Sequence, residues 1–164
     1  MLEQEMASII KFILEKAGSP PPYYNEVPEG FLLPSVYFPS PEVTSDGDTF
    51  RTYALKYAWF INFFHVDKAS AYNLAFPVLT AIRKARNLIP LIGVDGKPTG
   101  DIFRIKDPSL KGVDDSLGAS QLTIEWDSAR PYDDPESQKM TGYDLNIHAK
   151  AAYEQAVQQV QGQP

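Results

Sequence analysis

The feature that most constrains the fold is an alternation of side chains between Thr49 and Val66. The odd positions from Tyr53 to Phe63 are all large and apolar, whereas the even positions mix small, polar and aromatic residues. A period of two with a high aromatic content is typical of a β-strand. At ~3.3 Å per residue this strand would span roughly 60 Å. We therefore expect a bulge, a strong curl or a hairpin that projects beyond the body of the domain.

Two helices are predicted beside this strand. Residues 2–17 place apolar side chains at helical spacing and end at Gly18, which predicts an amphipathic helix of about four turns. Asp67 is a suitable N-cap for a second helix over residues 68–89, which Pro77 must kink or divide. One broad face of this second helix is expected to carry Tyr72, Ala75, Phe76, Leu79, Ile82, Arg83, Arg86 and Ile89.

Prolines and polar runs separate the other predicted elements. Residues 18–41 contain seven prolines, so residues 31–44 are predicted as an edge strand or a bulged strand. Residues 45–48 are a turn, residues 101–105 and 121–132 are strands, and residues 106–120 form a loop expected to be mobile before docking. This order predicts an α+β fold: one mainly antiparallel curled sheet with a long β-hairpin and helices packed on one face.

Composition limits the class of protein. We expect a single domain over residues 1–164, with a core over about 5–130 and a C-terminal helix over about 144–161. The lack of cysteine excludes a disulfide scaffold and a zinc–thiolate site. A net charge of -6 without a run of Lys and Arg disfavours nucleic acid as a direct partner. Because no signal peptide or membrane span is recognisable, we expect a soluble protein made in the cytoplasm, with no membrane partner.

Candidate catalytic groups are few. His65 and Asp67 could orient a general base, but no nucleophile motif accompanies them, which favours a strand-end role for His65. His148 has no metal partner at the i+4 position. Aspartate pairs such as Asp46 and Asp48 occur in loops and are explained better by turn chemistry than by calcium binding. We predict neither an enzyme activity nor a cofactor nor a metal site.

The even face of the aromatic strand is harder to bury than the odd face. Phe60 and Phe64 would point away from the helices, so either another element or another subunit must cover them. Aromatic-rich patches on a protein surface usually mark an interface. We predict a subunit interface at Phe60, Phe64, Phe50 and Tyr37. A second hypothesis concerns three cations, which are either a solvated helix face or a surface that faces a channel or tube: Arg83, Lys84 and Arg86.

The order of these elements and the types of residue in them resemble those of the tail terminator proteins of long-tailed phages. Such proteins also occur in prophages and phage-tail-like bacteriocins. The similarity covers about residues 5–130. It includes the first helix, the lead YYNEVPEGFLLPSVYF, the strand FRTYALKYAWFINFF, the helix start DKASAYNLAF and a closing pair of strands. The stretch ARPYDDPESQKMTGYD and the C-terminal helix are additions to that pattern.

The resemblance implies a subunit of a hexameric ring that caps the tail tube, stops its polymerisation and joins it to the head connector or collar. In contractile tails the ring also caps the sheath. The implied partners are identical subunits, the tube protein, and sheath and connector proteins, while DNA only passes through the ring and no cofactor is needed. Assembly would take place in the host cytoplasm and end in a virion or tail-like particle. The alternatives are another neck, head-completion or tube protein, a small hydrolase that uses His65, and a monomeric binding module.

Overall fold

The computed structural model describes residues 2–113 and 118–133. Within them the chain forms two helices and seven strands, all in Met1–Tyr132, the first of the two units into which it divides. The predicted C-terminal helix over residues 144–161 lies outside the described residues and stays a prediction. In chain order the elements are α1 (Leu2–Lys16), β1 (Pro22–Tyr24), β2 (Ser35–Phe38), β3 (Glu42–Gly47), β4 (Thr52–Phe64), α2 (Lys68–Lys84), β5 (Leu88–Ile92), β6 (Pro98–Gly112) and β7 (Ala119–Pro131).

The strands form one curled sheet in the order β1-β2-β4-β7-β6-β5, and β3 also pairs with β4. Every pairing is antiparallel except that of β1 with β2. β4 pairs with β7 over its whole length, from Thr52 opposite Pro131 to Phe64 opposite Ala119. The predicted fold class, a mainly antiparallel curled α+β sheet with its helices on one face, is confirmed.

The segment predicted as one strand, residues 31–44, is divided between two strands along the same edge of β4. β2 pairs with the C-terminal part of β4 and β3 pairs with its N-terminal part. Pro39 and Pro41 lie between these strands, and they cannot donate a backbone hydrogen bond. The carbonyl of Pro39 accepts a hydrogen bond from the indole N–H of Trp59, which ties this connection to β4. β3 is an exposed edge strand, as predicted, whereas β2 lies between β1 and β4 and the predicted turn begins after Gly47.

The odd face of β4 forms the centre of the core, as predicted. Trp59, Ile61 and Phe63 are completely buried, and the ring of Tyr57 stacks on that of Trp126 in β7 at a centroid distance of 4.7 Å. α1 and α2 both cover this face of the sheet and contribute their own apolar side chains to it. The two sides of the sheet therefore differ, and only the odd side of β4 is covered by helices in the described part of the chain.

α2 starts where the sequence predicts, and only part of the predicted broad face packs on the sheet. The Asp67 carboxylate accepts hydrogen bonds from the Ser70 amide at 2.9 Å and from its hydroxyl at 2.6 Å. Pro77 lies inside a continuous helix of 17 residues and does not divide it. The residues that α2 buries are Ala71, Ala75, Val78 and Ile82.

Tyr72 and Phe76, which the sequence predicts on one broad face with Ala75 and Ile82, lie outside the packed face. The sheet already supplies large rings such as Trp59 and Trp126, so small helix side chains fit against it and bring the helix close. Ile89, also predicted on the helix, lies in β5, and Pro90 is tolerated there because β5 is the last strand of the sheet.

β6 is longer than predicted. Residues 106–112 were expected to form a loop, but Ser109–Gly112 pair with β7. The register shifts between Lys106 and Ser109, where Asp107 has a φ of 39°. A bulge of this kind accommodates Pro108 without ending the strand.

Candidate interaction surfaces

The outer face of the sheet is the even side of β4, opposite the helices. Successive strand residues point to opposite faces, so Phe60, Asn62 and Phe64 share this side. Tyr37 of β2 lies directly opposite Asn62 and joins them. Tyr37, Phe60 and Phe64 are half-buried in the isolated chain. The structure thus brings three of the four predicted interface residues together on one face.

The segment that precedes β2 covers part of the outer face. The ring of Phe31 lies 5.1 Å from that of Phe64, measured between centroids. The Tyr37 hydroxyl donates to the backbone carbonyl of Asn25 at 2.8 Å. Phe64 is therefore covered from within its own chain. Phe60 makes no ring contact with another described residue, so it is the aromatic side chain of this face that has most to gain from a partner.

The outer face becomes acidic beyond Phe60. Glu42 of β3 and Glu125 of β7 lie opposite Ala58 of β4 on its two sides, and both are exposed. The amides of Asn62 and Gln121 lie on the other side of Phe60, with Gln121 Nε2 donating to Asn62 Oδ1 at 3.2 Å. An aromatic and amide region therefore adjoins a pair of carboxylates on the same side of the sheet.

Two ion pairs adjoin these carboxylates on the outer face. Lys56 Nζ lies 2.8 Å from Asp46 Oδ2, and Lys106 contacts the carboxylate of Asp127. The hydrogen bond between Lys56 and Asp46 lowers the pKa of Asp46 and raises the pKa of Lys56, and their mutual attraction acts in the same direction. Asp46 and Asp127 are thus paired within the chain, whereas no ion pair of Glu42 or Glu125 is seen among the described residues, although Lys106 lies directly opposite Glu125.

Phe50 lies apart from the other predicted interface residues. It is fully exposed in the turn between β3 and β4. Close to the same end of the sheet, the ring of Tyr53 packs on that of Tyr132 at 5.2 Å between centroids. These two rings line an open recess together with Ser45, Asp46, Gly47 and Leu55. The hairpin tip is therefore a surface separate from the outer face.

The three cations near the end of α2 do not form one group. Arg83 Nη2 donates to the carbonyl of Pro108 in β6 at 3.3 Å. Lys84 lies about 100° further around the helix, and Arg86 follows the helix with a φ of 57°. All three side chains are exposed. Their charge also stabilises the helix, because cations at a helix C-terminus complement its dipole.

An exposed aromatic pair on α2 was missed by the sequence interpretation. Tyr72 is 37% exposed and Phe76 is 50% exposed, and their rings stack at 6.1 Å with an interplanar angle of 23°. The signal that could have located this pair was the spacing of Ala71 and Ala75. These small residues recur on the face that the helix buries, which leaves the neighbouring aromatic residues outside.

His65 and Asp67 do not have the arrangement of a catalytic pair. The Asp67 oxygens accept from the amide and hydroxyl of Ser70, which lowers the pKa of this carboxyl. Nδ1 of His65 accepts from the Val66 amide at 2.8 Å. In a histidine oriented by an aspartate, a ring N–H donates to the carboxylate. Here Nδ1 is an acceptor, and the position of both residues is explained by the connection between β4 and α2.

The described residues contain no cluster of three or more His, Cys, Asp or Glu side chains that could hold a metal ion. Neither α1 nor α2 has the length and apolar character needed to cross a membrane. Our candidate interaction surfaces are the outer face, the hairpin tip and the exposed side of α2.

Comparison with known proteins places the chain among phage-related sequences. No family model matches it. Over 149 residues it is 34% identical to the phage-like element PBSX protein XkdJ of Bacillus subtilis strain 168, covering 91% of this chain and 100% of the relative. The chain belongs to the XkdJ family.

A second member of the XkdJ family is the uncharacterized protein YqbJ of the same strain. It is 32% identical over 150 residues, which cover 91% of this chain and 100% of YqbJ. Among solved structures, a chain from the virion of a native gene transfer agent particle aligns with a TM-score of 0.44 and 15% identity. That alignment covers 76% of this chain and 92% of the other.

Proposed function

We propose that the protein is a structural component of a phage virion or a phage-tail-like particle. The observation that carries this proposal is the end-to-end match to XkdJ, a protein of the phage-like element PBSX. The outer face supports it, since a structural subunit needs surfaces that other subunits can bury. Half-buried aromatic rings beside exposed carboxylates have the composition of such a surface.

Within that class we assign the protein the role of a tail terminator. Its copies form a hexameric ring that caps the tail tube, stops polymerisation and presents a surface to the head connector or collar. In a contractile tail the same ring caps the sheath. This assignment rests on the resemblance of residues 5–130 to tail terminators. The presence of the first helix, the long aromatic strand and the Asp67-capped helix supports it.

The proposed subunit interface includes the outer face and the hairpin tip. Phe60, Phe64 and Tyr37 supply the aromatic part of the outer face. Phe50 projects from the turn at the opposite end of β4, where a neighbouring subunit or the tube can reach it. Burial of a fully exposed phenylalanine side chain against a partner stabilises the complex, because apolar surface is removed from water.

Lys84 and Arg86 remain our candidates for the surface that faces the tube or the channel. Arg83 is assigned differently, because its guanidinium is bonded to Pro108 and points to another side of α2. DNA passes through the ring without tight binding, as a subunit with a net charge of -6 provides few phosphate contacts. Assembly takes place in the host cytoplasm, and no membrane partner is involved.

A tube-capping assay tests this function. Tail tube protein of the same element is polymerised with and without the purified protein, and tube lengths are measured by negative-stain electron microscopy. A terminator shortens the tubes and appears as a ring at one end. A tube protein polymerises by itself, and a neck or head-completion protein leaves tube length unchanged. Unchanged length with no bound ring contradicts the terminator assignment.

A hydrolase that uses His65 is distinguished by its activity and not by its assembly. In that case His65→Ala abolishes a hydrolytic activity and leaves assembly unaffected. We expect His65→Ala to cap tubes as the wild type does, because the Nδ1 contact to Val66 is local to the end of β4.

A further inference from the structure

We propose that the exposed side of α2 docks on the outer face of a second copy of this chain. The inference rests on the proposed ring and specifies which two surfaces meet in it. The helix surface, called the α2 stripe, consists of Tyr72, Phe76 and Arg83. These three residues lie within about 40° of one another around the helix axis. All three are exposed.

The two surfaces match in chemistry. The stripe has two stacked aromatic rings followed by a guanidinium. The outer face has aromatic rings on one part of β4, followed by Glu42 and Glu125 on either side of Ala58. Aromatic residues and Arg are the residue types enriched in protein interfaces. Since the bond to Pro108 uses one of the five N–H donors of Arg83, the others remain to bind carboxylates.

The two surfaces also match in spacing. On α2, the midpoint of Tyr72 and Phe76 is nine residues from Arg83, which corresponds to about 14 Å. On β4, the midpoint of Phe60 and Phe64 is four residues from Ala58, which corresponds to about 13 Å. A helix laid along β4 can therefore bring its rings onto the aromatic region and its guanidinium to the carboxylates at the same time.

One chain cannot make this contact with itself. α2 packs on the odd side of β4, where the Ser120 hydroxyl donates to the carbonyl of Ala71 at 2.9 Å. Its stripe lies on a flank of the helix, roughly 110° around the axis from the residues that α2 buries, and the outer face is on the other side of the sheet. Contact between them is therefore head-to-tail between copies, which produces a closed ring or a filament. It also places a helix layer on each face of the sheet.

The test uses two variants, each of which blocks one surface, studied by sedimentation velocity. Phe76→Asp blocks the stripe and Phe60→Asp blocks the outer face. Each variant alone should be monomeric at concentrations where the wild type assembles. An equimolar mixture should form a dimer of one copy of each and nothing larger, because one intact contact remains. Val94→Asp is the control, since Val94 is fully exposed between β5 and β6, and it should assemble normally.

A charge exchange provides a second readout in case Phe60→Asp fails to fold. Arg83→Glu and Glu125→Arg should each weaken assembly by roughly tenfold or more, and their combination in one chain should restore most of it. Lys97→Glu, at an exposed position away from both surfaces, should have no effect.

The results separate this inference from the ring itself. If the wild type forms a ring but the mixture stays monomeric and the charge exchange restores nothing, the paired surfaces are wrong and the ring stands. If the wild type stays monomeric both alone and on tubes, the ring and the docking are overturned together.

Discussion

The carboxylate of Glu5 in α1 accepts a hydrogen bond of 3.1 Å from the indole N–H of Trp126 in β7. Its other oxygen accepts from the Ser128 hydroxyl at 2.7 Å, and Arg130 lies 4.0 Å away. Glu5 is only 5% exposed. This polar cluster fixes α1 to β7, in addition to the hydrogen bond that the Ile92 amide of β5 donates to the Ser8 hydroxyl at 3.0 Å.

Glu5→Ala should destabilise the protein by about 2–4 kcal/mol, because it leaves the Trp126 and Ser128 donors buried without an acceptor. Urea unfolding followed by tryptophan fluorescence measures this loss. Glu5→Gln is the matched control and should cost less, since its amide oxygen still accepts one of the two bonds. A free energy of unfolding for Glu5→Ala within about 0.5 kcal/mol of the wild type would show that the cluster is not stabilising.

Gly118 should not tolerate a side chain. Its carbonyl accepts from the His65 amide at 2.8 Å, and a Cβ at this position would lie 2.6 Å from the Asp67 nitrogen. These neighbours are backbone atoms at the start of α2, so they cannot move independently. Gly118→Ala should cost roughly 2 kcal/mol or more of stability.

Gly47 provides the control for the Gly118 substitution. A Cβ built on Gly47 has no neighbour within 4 Å. Gly47→Ala should therefore change the free energy of unfolding by no more than about 0.5 kcal/mol. Equal effects of the two substitutions in chemical denaturation would contradict the close approach at Gly118.

Asp67 should stabilise α2 in a pH-dependent way. Hydrogen bonds from Ser70 lower the pKa of Asp67 below its ordinary value of 3.8, so the ionised form is favoured in the folded state. The stabilisation is present above that ordinary value and is lost as the pH falls through the lowered pKa. Asp67→Ala should reduce the midpoint of thermal unfolding at neutral pH, and the difference from wild type should shrink in acid.

Asp67→Asn separates the cap from the charge. Asparagine is also a good N-cap, so this variant should keep much of the stability of the wild type at neutral pH. Thermal scans at several pH values provide the measurement. A difference between wild type and Asp67→Ala that grows toward low pH would have the wrong sign for this account.

Phe60→Asp should disrupt the oligomer more than the fold, whereas Phe64→Asp should affect both. The difference arises because Phe64 packs against Phe31 in its own chain, and Phe60 has no ring contact among the described residues. Sedimentation velocity and chemical denaturation of the same samples separate the two effects. An unchanged oligomer for Phe60→Asp, or complete unfolding of its monomer, would count against the interface.

Some parts of the fold could be predicted from the sequence because they depend on local patterns. The alternation along β4 requires a strand with one buried face, and Asp67 can cap only a helix that starts at the next residue. Both predictions are confirmed. The face of α2 could not be derived in this way, because it depends on the space that Trp59 and Trp126 leave over the sheet.

Two segments that contain proline were predicted incorrectly, also because their structure depends on distant parts of the chain. Pro90 and Pro108 were interpreted as the end of a helix and part of a loop, yet they lie in β5 and β6. Pro90 is tolerated because β5 is an edge strand, and Pro108 because the register shifts beside it. Neither the position of a strand in the sheet nor a bulge can be recognised from the local sequence.

The sequence shows that Tyr37 and Phe60 are both aromatic, but it does not show that they are close in space. Their proximity depends on the register between β2 and β4.

Native mass spectrometry of the purified protein across a range of concentrations, alone and with tail tubes, tests the central claim most directly. Negative-stain images of the same samples show whether the assemblies are closed. We expect a hexamer that appears as a ring, either free in solution or at the tube ends. A protein that remains monomeric at every concentration and does not bind to tubes would contradict it.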